Sequence, residues 1–236
     1  MQYKKRNGFL RKFGGNTMYK YELHCHTGDV SLCAKISPES LLRRYRDAGY
    51  DGLVITNHFS PMTFWKTGML TTKKQVLHYL SAYRRLRAAA GDDFTVLLGL
   101  ELRHYATVND YLVYGVEEDW LLHQPNMLFW GERKMSEEVR RQGYLVYQAH
   151  PFRPFIRRCD PSLLDGIEVY NGHTDENGNA QALHWAETHH MPMTSGSDTH
   201  TEEDAIAGGI ITDTQIRSNT DLLRTLRAND YTLLRP

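Results

Sequence analysis

The stretch YKYELHCH, residues 19–26, has the length and the aromatic content of a β-strand, and it ends in two histidines. Side chains two positions apart on a strand face the same side, so His24 and His26 point together and Cys25 points away. Glu22 lies on the same face as the histidines, one step further from the strand end. Two imidazoles on one face make this strand end the starting point for a binding site.

Similar short apolar runs recur along the chain and alternate with longer amphipathic segments. Helices are expected at residues 37–49, which open with a Ser-Pro start signal, and at 72–90, 136–142, 179–189 and 220–228. Further strands are expected at DGLVITNH (51–58), FTVLLGLELR (94–103), DYLVYGV (110–116), GYLVYQAH (143–150), DGIEVYN (165–171), MPMTSGSDTH (191–200) and GGIIT (208–212). This alternation predicts an α/β fold in which crossover helices join parallel strands. Its repetition favours a closed barrel, with an open doubly wound sheet as the alternative.

The composition of the 236-residue chain limits its functional class. Lys+Arg and Asp+Glu both number 28, so no global charge attracts nucleic acid or an anionic membrane. No apolar run reaches the roughly 18 residues of a membrane-spanning helix, and the basic start lacks the apolar centre of a signal peptide. Three cysteines cannot all pair, which favours a reducing compartment. We expect a cytoplasmic protein with an N-terminal tail at 1–17 and a single domain at 18–236.

Five of the expected strands end in histidine or carboxylate side chains. In α/β barrels the carboxyl ends of the strands form the face that carries the active site. Imidazole and carboxylate are ligands for Zn²⁺, Mn²⁺ and Fe²⁺, and a cation offsets the electrostatic cost of crowding them. The sequence therefore predicts a metal site built from His24, His26, His58, Glu101, His150, Asp198 and His200.

The motifs ELHCHT (22–27), VITNH (54–58), GLE (99–101), AHP (149–151) and GSDTH (196–200) together resemble the polymerase and histidinol phosphatase (PHP) family of metal-dependent phosphoesterases. The resemblance runs from about Tyr19 to at least Ile211. It implies a distorted seven-stranded (β/α) barrel of the TIM type, with two or three divalent ions, zinc, manganese or iron, at the carboxyl ends of the strands. It also implies that the seven residues named above are metal ligands and that Glu101 could bridge two ions.

The sequence departs from the family pattern at three places. Asn57 stands where the family often has an aspartate. The strand after the GLE motif lacks a commonly seen histidine, and Asp110, or less favourably Asn109, takes its place. The family also supplies a further ligand shortly after H-x-H. Asp29 is the only acid in that loop and Cys33 is the competing candidate, so we count Asp29 and Asp110 among the predicted ligands.

The resemblance implies hydrolysis of a phosphate ester by a metal-bound hydroxide in a dinuclear or trinuclear site. His150, Asp198 and His200 are the candidates for catalytic proton transfer to the leaving alkoxide. The planar fork of arginine matches phosphate geometry, and four residues at strand ends or in the following loops are candidates for substrate binding. They are Arg153, Arg103, Arg157 and Asn171. Glu168 is expected to orient a ligand histidine.

We expect the substrate to be a small phosphorylated molecule. Phosphodiester cleavage, including exonuclease activity, is an alternative for the same site, although the neutral charge disfavours long nucleic acids and nothing indicates a membrane partner. An amidohydrolase also uses H-x-H on a first barrel strand, but no expected strand ends in a metal-bridging lysine. A non-catalytic sensor of metal or phosphate is the remaining alternative. The sequence indicates no oligomeric state.

Overall fold

A computed structural model describes residues 12–13, 16–66, 68, 71–124 and 126–236. The expected strands are present near their predicted positions. In chain order the strands are β1 (Lys12–Phe13), β2 (Asn16–Thr17), β3 (Tyr19–Cys25), β4 (Gly52–Ile55), β5 (His58–Phe59), β6 (Thr95–Leu98), β7 (Leu100–Leu102), β8 (Tyr111–Tyr114), β9 (Leu145–Gln148), β10 (Gly166–Asn171), β11 (Met193–Gly196), β12 (Ile210–Thr212) and β13 (Thr232–Leu233).

The α-helices are α1 (Pro38–Asp47), α2 (Pro61–Lys66), α3 (Thr72–Ala90), α4 (Glu118–His123), α5 (Glu132–Arg141), α6 (Glu176–Thr188) and α7 (Asn219–Ala228). Short 3₁₀ turns lie at Met127–Phe129 and Pro161–Leu163. The Ser37 hydroxyl accepts a hydrogen bond from the backbone of Ser40, which gives α1 the predicted start. Helices α5 and α6 begin three or four residues before their predicted starts because their polar first turns show no apolar periodicity.

The strands form two large sheets, ordered β11-β10-β9-β8-β7-β5 and β13-β12-β3-β4-β6, while β1 pairs only with β2. Most neighbours of the predicted site strands are parallel, as in β3–β4 and β9–β10. The expectation of parallel strands is wrong for β8, which runs antiparallel to β7 and β9, and for β12, which runs antiparallel to β3. Parallel neighbours need a long crossover, and the segments 103–110 and 197–209 that precede β8 and β12 contain no helix.

The predicted closed seven-stranded barrel is not confirmed, because no continuous ladder joins the two sheets within the described residues. The chain passes from one sheet to the other between β4 and β5, and again at Gly99 between β6 and β7. A Cβ at Gly99 would lie 2.7 Å from Val54 Cγ1, so this bend requires glycine. On the opposite side a single bridge links Cys25 to Thr199. The fold is mixed α/β, and these bends interrupt the hydrogen-bond ladder.

The predicted tail at 1–17 lies largely outside the described residues. Its described part forms β1 and β2, which pair antiparallel with each other. Within the described part of the chain, no helix is both long enough and apolar enough to cross a membrane. The three cysteines are free thiols.

Candidate metal centre

The predicted ligands other than Asp29 come together, from β3, β5 and β7 and from the residues next to β8, β9 and β11. Glu101 lies at the centre of the group. Its Oε1 is 3.0 Å from His150 Nε2 and 3.5 Å from His24 Nε2. Its Oε2 is 2.5 Å from His58 Nδ1 and 3.4 Å from His26 Nε2. Because each oxygen faces a different pair of imidazoles, this carboxylate is placed to bridge two cations.

Asp198 approaches the same imidazoles from the opposite sheet edge. Its Oδ1 lies 3.0 Å from His26 Nε2, 3.3 Å from His24 Nε2 and 3.5 Å from His200 Nδ1. Its backbone N–H donates to the carbonyl of His24 at 2.8 Å, which fixes the loop after β11 beside β3. The H-x-H histidines therefore lie between two carboxylates.

Hydrogen bonds on the far side of the rings determine which nitrogen faces this space. The Nδ1 of His24 lies 2.8 Å from Glu168 Oε1, and a carboxylate oxygen can only accept, so Nδ1 carries a proton. The Ser31 hydroxyl gives its one proton to Asn57 Oδ1 at 2.9 Å and accepts from the backbone of His58. The His26 Nδ1, at 3.0 Å from Ser31 Oγ, must therefore donate. Both histidines direct Nε2 toward the carboxylates, as metal-binding imidazoles do.

The polar atoms that face this space lack hydrogen bonds although they are buried. They are His24 Nε2, His26 Nε2, Glu101 Oε2 and Asp198 Oδ1. Buried polar atoms are normally paired, so a group of convergent unpaired nitrogens and oxygens fits divalent cations. Sets of three ligand atoms within 4.8 Å of one another are His24–His26–Glu101, His24–His150–Asp198, His26–His58–His200, His58–Glu101–Asp110 and His173–His200–Asp204.

The electrostatics also fit a cation. Burial favours the neutral form of His24, but the surrounding carboxylates, led by Asp198, outweigh it and raise the pKa of His24 well above its usual value. Burial lowers the pKa of His26 well below the usual value, and the neighbouring imidazoles lower it further. Burial raises the pKa of Glu101, but His58 and His24 outweigh it and hold that pKa well below its ordinary value. Protonation thus partly neutralises the negative charge of the carboxylates, and a bound metal ion would balance the same charge.

Two predicted ligands occupy strained backbone positions. The φ angles of His150 and Asp198 are 31° and 53°, in the left-handed region that residues other than glycine rarely adopt. Glu168 Oε2 accepts the His150 backbone N–H at 2.9 Å and stabilises this conformation. Such strain is often found at functional sites because it turns a side chain into the site immediately after a strand.

The structure distinguishes the two candidates for the loop after H-x-H. The Asp29 carboxylate pairs with Arg85 at 3.0 Å and belongs to none of the ligand sets. Cys33 instead lies against His200 and His58. Desolvation raises the pKa of its thiol, but these two histidines outweigh that effect and lower it to about 6. The loop after H-x-H therefore brings Cys33 rather than Asp29 to the ligand histidines, and neither residue belongs to a ligand set.

Asp110 lies at the edge of the cluster. Its Oδ2 is 3.8 Å from His150 Nε2, and both of its oxygens accept from the Arg103 guanidinium. Arg103 was expected to bind substrate, but in the structure it neutralises Asp110. Its side chain is 38% exposed.

The two other arginine predictions separate in the structure. The Nη2 of Arg153 donates to Asp198 Oδ2 and to Asn171 Oδ1, both at 2.7 Å, so Arg153 and Asn171 lie at the metal cluster as expected. Arg157 does not lie there, because its backbone N–H donates to Asn109 Oδ1. Arg157 lines a cavity whose walls include none of the predicted metal ligands. The direction of the loop after His150 separates these two arginines.

Sequence reasoning missed Ser31 and the pair His173–Asp204. The Nε2 of His173 is 3.2 Å from Asp204 Oδ2, and the same oxygen accepts the backbone N–H of His200 at 2.7 Å. Asp204 follows two other acids, Glu202 and Glu203, and nothing in that run marks the third as the one that turns inward. The expected role of Glu168, in contrast, matches its contact with His24.

Residues 176–231 match the family model described as PHP-associated. No curated protein matches the chain. A two-domain protein from Bacteroides vulgatus that contains a predicted PHP-like metal-dependent phosphoesterase shares the fold, with a TM-score of 0.68 and 17% identity over 99% of this chain and 70% of that one.

PsfC from Pseudomonas syringae aligns with a TM-score of 0.69 and 17% identity, over 93% of this chain and 92% of its own. An amidohydrolase from Chromobacterium violaceum, solved with sulfate and no metal, aligns with a TM-score of 0.52 and 14% identity over 92% of this chain and 98% of its own. At such identities the likeness shows the fold. Together with the family-model match to residues 176–231, it confirms the predicted resemblance to the PHP family.

Proposed function

We propose that the protein is a metal-dependent phosphoesterase that hydrolyses a small-molecule phosphomonoester and holds two or three divalent ions, of zinc, manganese or iron. The carrying observation is the convergence of unpaired ligand atoms from His24, His26, Glu101 and Asp198 beside an arginine. Free thiols agree with a reducing, cytoplasmic location, which we propose as well.

Divalent ions bound there would lower the pKa of water and polarise phosphoryl oxygens. The protein residues supply the rest. Arg153 uses one amino group on Asp198 and Asn171, and its buried Nε has no partner, so that donor is free for a phosphoryl oxygen. His200 is partly exposed at the edge of the cluster, which suits it to pass a proton to the leaving alkoxide.

The test is metal analysis of protein purified without chelators, followed by hydrolysis of an aryl phosphate. We expect at least two equivalents of divalent metal per chain and metal-dependent turnover. His24→Ala and Asp198→Ala should lose both, whereas His184→Ala, an exposed histidine on α6, should retain both. Metal-loaded wild-type protein without activity on a broad panel of phosphate esters would refute the proposal.

One alternative is favoured by a specific comparison, the fold likeness to an amidohydrolase. The position between the imidazoles, where an amidohydrolase would carry a bridging lysine, is occupied by the Glu101 carboxylate. We therefore prefer phosphate esters. Hydrolysis of an amide panel without hydrolysis of phosphates would reverse this preference.

Two further alternatives make different predictions from the same site. A phosphodiesterase or exonuclease would show strongly salt-dependent binding to single-stranded DNA, which the zero formal charge does not favour. A non-catalytic sensor of metal or phosphate would hold one equivalent of metal or none and would not turn over.

A further inference from the structure

A second cavity, of about 370 Å³, lies apart from the metal cluster. Its walls include His104, Thr107, Asn109, Glu132, Arg157 and Arg158. None of these residues belongs to a candidate metal-ligand set. The volume lies at the lower end of the roughly 300–1,000 Å³ that small-molecule sites occupy.

The cavity lies on the opposite side of the β7–β8 hairpin from the metal cluster. Glu101 and Arg103 face the metal cluster, as their contacts with His150 and with Asp110 show. Leu102 alternates with Glu101 along β7 and faces away. The β-ladder pairs Leu102 with Tyr111, and the His104 ring stacks on Tyr111 with centroids 5.9 Å apart. The hairpin therefore has a separate polar surface on each face.

His104 points to a ligand in this cavity. Its side chain is only 2% exposed, yet neither ring nitrogen has a hydrogen-bond partner. Burial lowers the pKa of this imidazole to about 4, so at neutral pH the ring offers one donor and one acceptor. Buried imidazoles normally satisfy both nitrogens, and His104 is one of the residues that line the cavity.

The wall that carries the arginines is held in place. The buried side chain of Gln148 donates to the carbonyl of Arg157 at 2.5 Å and accepts the backbone N–H of Cys159 at 2.9 Å. Asn109 accepts the backbone N–H of Arg157 at 2.8 Å and donates to Glu132 at 3.1 Å. Residues 157–159 are thus hydrogen-bonded to Gln148 of β9 and to Asn109, which itself contacts Glu132 of α5.

The two arginine side chains are available. Both are exposed, and neither forms an ion pair with any residue that the structure describes. The Arg158 guanidinium lies 5.2 Å from the centre of the Phe152 ring, which supports it from one side. Glu132 is the cavity's acidic group, and it already accepts hydrogen bonds from Tyr111 and Asn109. The cavity therefore keeps an excess of positive charge.

We propose that this cavity is a second ligand site, which binds a small molecule with an oxyanion group, phosphate or carboxylate. The two guanidinium groups bind the oxyanion, and His104 hydrogen-bonds to the neutral polar part. The site stands independently of the proposed phosphoesterase activity, because it shares no ligand residue with the metal cluster.

The test follows the histidine ring signals of ¹³C-labelled protein by NMR during titration with inorganic phosphate and, separately, with acetate. The His104 signal is identified by its loss in His104→Gln. We expect it to move saturably in the millimolar range with at least one anion, and comparison of the two titrations shows whether the site prefers phosphate or carboxylate. The double variant Arg157→Gln/Arg158→Gln should weaken the response at least tenfold.

Two matched controls separate this site from others. Arg235→Gln removes an exposed positive charge near the C-terminal end and should leave the response unchanged. Asp198→Asn alters the metal cluster and should also leave it unchanged, which distinguishes this proposal from the proposed activity. No saturable movement with either anion, or an undiminished response in the folded double variant, would overturn the proposal.

Discussion

Replacing Glu168 by glutamine should weaken metal binding 10- to 100-fold while the chain still folds. Both oxygens of this buried carboxylate act as acceptors. Oε1 accepts from His24 Nδ1 at 2.8 Å, and Oε2 accepts from the His150 backbone at 2.9 Å and from Asn171 Nδ2 at 3.0 Å. An amide has one acceptor oxygen, so the variant must present its NH₂ group to the donor of His24 or to that of His150.

The expected magnitude follows from this mismatch. A buried donor that loses its acceptor costs about 1–3 kcal/mol. A loss of about 1.4 kcal/mol in a binding free energy is a tenfold loss of affinity, so one misplaced ligand histidine gives a change of about one to two orders of magnitude. The strained φ of His150 adds to the effect, because its backbone N–H is one of the three donors to this carboxylate.

The assay is competition for Zn²⁺ against a chromogenic chelator, with urea unfolding as the test of folding. Glu187→Gln is the matched control, since Glu187 is exposed on α6 and contacts none of the candidate ligands. An affinity within about twofold of wild type in folded Glu168→Gln would show that Glu168 does not orient the ligand histidines.

Three further substitutions test neighbouring features. In Gly196→Ala the new Cβ would lie 2.3 Å from His24 Cβ. We therefore expect the free energy of unfolding in urea to fall by about 1–3 kcal/mol, and an unchanged value would contradict the close approach. Ser31→Ala removes the acceptor of His26 Nδ1 and should reduce metal affinity about tenfold by the same chelator competition, whereas wild-type affinity would show that the ring orientation is held elsewhere. The pKa of His104 is lowered from 6.5 to about 4, so the unfolded state binds more protons between these values and stability falls as the pH falls. Between pH 7 and pH 5 the loss in the free energy of unfolding from this histidine is about 2 kcal/mol. His104→Gln should remove this loss, and an equal dependence of the unfolding free energy on pH in the two proteins would refute the prediction.

The strand and helix positions could be predicted because their signals are local. Helix α3 occupies the predicted range because its apolar residues recur at helical spacing between Thr71 and Gly91. Strand β3 follows from a short run that ends in histidine. Closure of the sheet was not predictable in the same way, since it depends on bends such as the one at Gly99, where the constraint comes from Val54 in a neighbouring strand.

The convergence of the candidate ligands was predictable for a related reason. Each one lies in a strand near its end or within a few residues after it, so the arrangement of the strands brings these residues together without depending on the longer loops. The loops themselves were not predictable: Asp29 and Cys33 are both near H-x-H in sequence, but an ion pair with Arg85 draws Asp29 away while Cys33 reaches His58.

Arginine placement shows where the limit of sequence reasoning lies. Arg103 and His104 are neighbours, and strand alternation already assigns them to opposite faces, so the separate surface behind the hairpin was implicit in the pattern. Arg153 and Arg157 lie in a loop, where no periodicity relates one side chain to the next. Only the contacts of the folded chain, with Asp198 for Arg153 and with Asn109 for Arg157, direct one to the metal cluster and the other to the second cavity. A charged loop residue beside a predicted ligand therefore identifies a site only when a long-range contact fixes the direction of the loop.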